Sequence, residues 1–161
     1  TPPVSPAVPL EVSLDLYPHS PGVIYDRLLF HGPDFQVIRS VRGVSTEAAE
    51  AELTSIADAG WPTDGWMTDM AAGDGGLQLA VLWSRQRLGA ASLPTAIASY
   101  RPYGRPGPGP VRGVLRGRRS EGKRSLSDVS LIDAGGRVYA DLQGVELHAL
   151  PGGEYPGKSG V

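Results

Sequence analysis

The sequence predicts an α+β domain in which an antiparallel sheet wraps one buried helix, and three observations carry that prediction. First, 161 residues and 16.9 kDa fit a single domain. Its 22 Gly and 15 Pro, nearly a quarter of the chain, argue against a helical bundle, because both residues are costly inside helices. Yet 40% of the residues are hydrophobic and the formal net charge is only −2, which is enough apolar surface to bury a core. Second, from Leu77 to Trp83 every residue but Gln78 is apolar within a helical stretch. A helix that is apolar almost all round is buried. Third, strand-like segments follow that helix, the last two joined by the turn signal Asp133-Ala134-Gly135-Gly136.

In order along the chain, residues 1–10 read as a Pro-rich linker. Glu11 to Tyr17 alternates at period 2, as in a strand, and Pro18 to Gly22 breaks it. Val23 to Leu29 has the i, i+4 pairs of a short helix. Phe35 to Ser45 alternates as a strand, and Thr46 to Ile56 is read as a second, with Ala49, Ala51 and Leu53 opposite Glu50 and Glu52. Asp58 to Gly65 is a loop carrying Trp61. Thr68 or Asp69 can cap the central helix, which runs to about Leu88 with Gly89 in the stop position. Strands are expected over Ser92–Tyr103, Val111–Arg119, Leu126–Ile132 and Arg137–Leu147. The domain proper is thus 11–150, and 151–161 read as a tail.

Composition excludes several classes of function. With no Cys there is neither a disulfide nor a thiolate metal site, and three His (His19, His31, His148) make a structural zinc site improbable. No metal and no cofactor bound by the chain itself is expected. No apolar run approaches the ~20 residues that span a bilayer, and Thr1-Pro2-Pro3 does not open a secretory signal, so a cytoplasmic location without a membrane partner is expected. The linker-like start without Met is expected of a piece of a larger protein. Eight basic residues lie between Arg101 and Arg124, opposed only by Glu121. That stretch reads either as a solvated strand and loop or as a patch for an anionic partner. Nucleic acid is disfavoured, since few aromatics beyond Tyr100 and Tyr103 interleave with the charges and the overall charge is negative.

The chemistry centres on the helix. Asp74 and Gln78 are spaced i, i+4 and so share one face. A carboxyl in an apolar setting favours its neutral form and can donate a proton to a leaving hydroxyl. An amide one turn away can orient it. Gly73, Gly75 and Gly76 around Asp74 imply a close approach by another group. The spacing leaves a plainer alternative open: Asp74 as a cap or first-turn acid facing solvent, with Gln78 at the edge of the core.

Three motifs occur in order: His31-Gly32-Pro33-Asp34-Phe35-Gln36, Asp74-Gly75-Gly76-Leu77-Gln78 and Leu93-Pro94. Together, over residues 24 to 150, they resemble the second half of the dehydratase domain of type I polyketide synthases and polyunsaturated fatty acid synthases. In that family the first motif is Tyr-Gly-Pro-x-Phe-Gln and the second Asp-x-x-x-Gln/His. The resemblance implies a hot-dog fold and removal of water from 3-hydroxyacyl chains held on the phosphopantetheine of an acyl carrier protein. It further implies that Asp74 is the acid and Gln78 its partner. His31, Gly32, Pro33, Phe35, Leu93 and Pro94 would then shape the substrate channel.

The departures matter as much. His31 replaces the family's Tyr, and the His-x-x-x-Gly-x-x-x-x-Pro motif that carries the general base is absent. The family's domain is a double hot-dog nearly twice this length. The resemblance therefore leaves two functions to weigh. One is a dehydratase half-domain that borrows its base. The other is a non-catalytic hot-dog that scaffolds the synthase or docks the carrier, with Arg116 and Arg118 as the docking residues. Expected partners are the acyl carrier protein, other domains of a megasynthase, and a second hot-dog, either another copy or a different one.

Overall fold

The computed structural model describes residues 4–8, 13–65 and 68–158. Six strands form one antiparallel sheet: β1 (Ile38–Val44), β2 (Ala48–Leu53), β3 (Ser92–Pro102), β4 (Val111–Glu121), β5 (Arg124–Ile132) and β6 (Val138–Ala149). Their order across the sheet is β1-β2-β4-β5-β6-β3. The central helix α1 (Met70–Leu88) lies in the concave face and packs on β2, β4, β5 and β6. This is the hot-dog arrangement.

Each element follows from local chemistry. Asp69 caps α1, its Oδ1 accepting from Ala72 N at 3.0 Å and from Ile56 N at 2.9 Å, so it ties the helix start to the loop after β2. Thr68 is not the cap. Gly89 follows α1 as expected. Along α1 Ala71, Ala72, Leu79, Ala80, Val81, Leu82 and Trp83 are all buried, which is why the helix lacks a polar stripe. A Cβ on Gly75 would sit 3.0 Å from a Leu53 methyl, and one on Gly76 would sit 3.1 Å from Val129. The group these glycines admit is therefore the sheet, not a ligand.

The strand expected over Thr46–Ile56 forms over Ala48–Leu53, despite Ala and Glu content that favours helix. Ala49, Ala51 and Leu53 face the core, and β2 pairs with both β1 and β4, so tertiary pairing overrides local propensity. The Asp133–Gly136 turn joins β5 to β6, Gly136 N donating to Asp133 O at 2.9 Å.

Two expectations need correction. Residues 11 and 12 of the expected first strand lie outside the described residues, and from Ser13 to Tyr17 the chain makes only the single bridge Asp15–Val44 to the edge of β1. Leu16 is 89% exposed while Tyr17 is buried, so the alternation there does not present one apolar face to the core. The expected helix over Val23–Leu29 starts earlier. It is a turn at Pro21–Val23, capped by Ser20, that widens into a π-helical turn at Ile24–Leu28.

The segment after β6 packs back on the domain. Tyr155 is buried, its hydroxyl donating to Ser92 O at 2.5 Å. Lys158 Nζ donates to the carbonyls of Tyr25 and Asp26, both at 3.0 Å.

Candidate active site

Helical spacing places Asp74, Leu77, Gln78 and Val81 on one face of α1. Opposite them stand Phe30, His31, Gly32 and Phe35, and Pro94 of β3 closes the side. Together they line a cavity of about 400 Å³. Asp74 and Gln78 are the polar members contributed by the helix.

Gln78 is the buried one of the pair, at 1% exposure. Its Nε2 donates to Asp74 Oδ2 and to Phe35 O, each at 2.7 Å. Its Oε1 accepts from the Tyr25 hydroxyl at 2.6 Å. Every hydrogen-bonding direction of the amide that matters is filled, which a buried polar group requires. Asp74 is not enclosed by apolar side chains as the sequence suggested. Its side chain is 31% exposed and sits at the rim, since the sheet packs against Gly75 and Gly76 while Gly73 faces open space. Nor is it a cap, a role Asp69 takes. Gln78 holds Oδ2 and so fixes one oxygen of the carboxyl.

His31 enters from the opposite wall. Its side chain is 13% exposed, and Nε2 lies 3.9 Å from Asp74 Oδ2. The ring stacks on Phe30 with centroids 4.4 Å apart, and Nδ1 is buried without a partner. Burial lowers the His31 pKa below its ordinary value, and the Asp74 charge opposes that shift. Burial thus favours the neutral imidazole. Its unpartnered Nδ1 is closed to the cavity, so a proton on Nε2 facing Asp74 is the favoured tautomer.

The loop bearing this motif is pinned from outside. Trp61 Nε1 donates to Asp34 O at 3.1 Å, and its ring meets Phe35 edge-on at 5.3 Å. Of the substrate residues expected from sequence, His31, Gly32, Phe35 and Pro94 line the cavity. Pro33 starts a short 3-10 turn instead, and Leu93 points outward, 37% exposed. The sequence reading missed Tyr25, Phe30, Leu77 and Val81. Spacing of three and seven residues from Asp74 could have found Leu77 and Val81; nothing in the sequence marks Tyr25.

Arg116 and Arg118 lie elsewhere, beside Trp83 and Arg87 in a shallow concavity of about 630 Å³ that shares no lining residue with the Asp74 cavity. Much of the basic stretch is neutralised across strands. Arg118 meets Asp128 at 3.6 Å, Arg112 meets Glu50 at 3.4 Å and Arg124 meets Glu146 at 3.9 Å. His148 sits on the strand surface, its Nδ1 2.8 Å from Thr95 Oγ1, and His19 packs edge-on against Tyr17. Among the described residues no group of three or more His, Asp or Glu could hold a metal, and no helix is long and apolar enough to cross a membrane.

A family model described as "Polyketide synthase dehydratase N-terminal domain" matches residues 5–156. The chain belongs to the polyketide synthase dehydratase family. Solved structures of dehydratases agree in fold. The dehydratase domain of PpsC from Mycobacterium tuberculosis is 28% identical with a TM-score of 0.69, over 89% of this chain and 55% of that one. The same domain in complex with C12:1-CoA is 26% identical with a TM-score of 0.68, over 89% and 56%. The dehydratase domain of RzxB from Pseudomonas fluorescens, at 17% identity and a TM-score of 0.66 over 85% and 54%, shows the shared fold alone. No match was found among curated proteins. This dehydratase-family chain spans a little over half the length of those structures.

Proposed function

We propose that this chain is the second hot-dog of a polyketide synthase dehydratase and acts on 3-hydroxyacyl thioesters presented by an acyl carrier protein. The observation that carries the reading is Asp74 held by Gln78 at 2.7 Å on the rim of an apolar cavity. The reaction breaks the Cα–H and Cβ–O bonds and forms a double bond between the two carbons. The step requires Asp74 to enter protonated on Oδ1; that proton passes to the departing hydroxyl, which leaves as water, and the proton from Cα goes to the base. Leu77, Val81 and Phe35 exclude water from the acyl chain. That a neighbour was solved with C12:1-CoA supports an acyl ligand.

The assignment to the second half rests on the Asp74–Gln78 motif alone, and it runs against the description of the matching family model as an N-terminal domain. The α-proton needs a base, and His31 is poorly suited, with Nδ1 enclosed and Nε2 turned to Asp74. The base then comes from a second hot-dog. Edge strand β3 is where it would dock: Leu93, Ile97 and Tyr100 are exposed along it, and its Pro94 already borders the cavity, so an element added there lies beside Asp74.

The test is Asp74→Asn in the intact synthase. Dehydration should fall by about 10²-fold or more, with the 3-hydroxyacyl intermediate accumulating on the carrier. Unchanged dehydration would sink the reading.

The basic concavity around Arg116 favours a second reading, a hot-dog that docks the acidic carrier without turning it over. Under it, 3-hydroxyacyl pantetheine binds the chain tightly without turnover, and Asp74→Asn is silent. Reversing Arg116 and Arg118 to Glu then weakens carrier binding in a salt-dependent way; an unaffected affinity removes docking at this patch.

A further inference from the structure

A buried tyrosine behind the cavity takes no direct part in the proposed chemistry, yet it is wired to it. Tyr25 lies in the π-helical turn Ile24–Leu28, and such turns recur at functional sites. Its hydroxyl has one proton and can accept as well as donate. The backbone N–H of Ile38, the first residue of β1, donates to it at 2.7 Å. The hydroxyl proton therefore goes to Gln78 Oε1, 2.6 Å away. Burial pushes the Tyr25 pKa up to about 12, so that proton stays in place at any working pH.

This fixes more than a contact. With Oε1 taken by a donor, both Nε2 protons of Gln78 turn to acceptors, Phe35 O and Asp74 Oδ2. The flipped amide would set Oε1 against a carbonyl and a carboxylate, losing both of those bonds, and would leave the Tyr25 hydroxyl proton without its acceptor. The turn itself is braced by Lys158, whose ammonium binds the Tyr25 and Asp26 carbonyls. A continuous path thus runs from the β1 backbone through Tyr25 and Gln78 to the carboxyl of Asp74.

We infer that Tyr25 is a positioning residue of this site: its hydroxyl selects the amide orientation of Gln78, and through it the placement of the Asp74 carboxyl. As a statement about catalysis this rests on the dehydratase reading; as a statement about geometry it does not.

The experiment is a double-mutant cycle of Tyr25→Phe and Gln78→Ala with two readouts. In the intact synthase, Tyr25→Phe should lower the dehydration rate by about tenfold to a hundredfold with little change in KM. The double variant should be no slower than Gln78→Ala alone, since Tyr25 acts through Gln78. In the 161-residue chain, NMR should show a nuclear Overhauser effect from the Gln78 side-chain amide protons to the Asp74 methylene. Tyr25→Phe should abolish it while the backbone spectrum stays native. Multiplicative rate losses, or a Tyr25→Phe chain that loses only thermal stability and keeps the Overhauser effect, would overturn the inference. If Asp74→Asn proves silent, the dehydratase reading fails on its own, and the NMR arm still decides the role of Tyr25.

Discussion

The Gln78 amide donates to Asp74 Oδ2 at 2.7 Å across one helical turn, from a side chain that water does not reach to one that it does. The pair joins the core of the domain to the rim of its cavity. Removing Gln78 therefore touches both stability and function. Gln78→Ala orphans the Tyr25 hydroxyl and the Phe35 carbonyl, and it should cost about 1–3 kcal/mol in urea denaturation. Gln78→Glu sets a buried acid against both Phe35 O and Asp74 and should cost more. If Glu at this position is as stable as Gln, the hydrogen-bond directions given for the amide are wrong.

His31 makes stability depend on pH. Its folded pKa is lowered from 6.5 by burial, so below that value the unfolded chain binds the proton more readily than the folded one. Stability from this group is complete above pH 6.5 and is lost as pH falls towards the folded value. Unfolding free energy measured from pH 7.5 to 5 should fall more steeply for the native chain than for His31→Tyr, which cannot charge in that range. Identical slopes would show that His31 titrates freely.

Trp83 lies under β4 where only a glycine leaves room. A Cβ on Gly117 would stand 2.1 Å from Trp83 Cζ2, and the indole is anchored by Nε1 donating to Ser45 O at 3.1 Å. Gly117→Ala should therefore overpack and destabilise the fold by about 1–3 kcal/mol, seen as a drop in Tm of several degrees. Trp83→Phe combined with Gly117→Ala should recover part of the loss. A neutral Gly117→Ala would contradict this packing.

Tyr155 makes the segment after β6 part of the domain. It bonds Ser92 O and meets Phe30, the ring on which His31 stacks, at 5.0 Å. Tyr155→Phe should cost about 1 kcal/mol and Tyr155→Ala about 3–5 kcal/mol by calorimetry. Removing residues 154–161 should match the Ala variant or exceed it. A truncated chain of native Tm would show that the segment only rests on the surface.

Much of this fold is legible in the sequence by itself. The apolar run from Leu77 to Trp83 within a capped helical stretch reads as a buried helix, Thr68 or Asp69 and Gly89 mark its ends, and the Asp133–Gly136 turn predicts the β5–β6 hairpin. The Asp74–Gln78 spacing puts the pair on one helical face whatever surrounds it. These are local facts, set by propensity and periodicity within a few residues.

Tertiary structure decided the rest, because those features depend on which distant segments meet. Ala48–Leu53 is a strand only because β1 and β4 flank it, and Glu11–Tyr17, with equally good alternation, is not one where its residues are described, because only Asp15 finds a partner. In the Asp74–Gln78 pair only the acid departs from the apolar setting read for it, while the amide is buried. Leu53 and Val129 fill the space beside Gly75 and Gly76, leaving the acid at the rim, while Tyr25 and Phe35 seal the amide. Tyr25 is 53 residues from Gln78, and no periodicity links them. A hydrogen bond at that separation exists only once the sheet has closed around the helix.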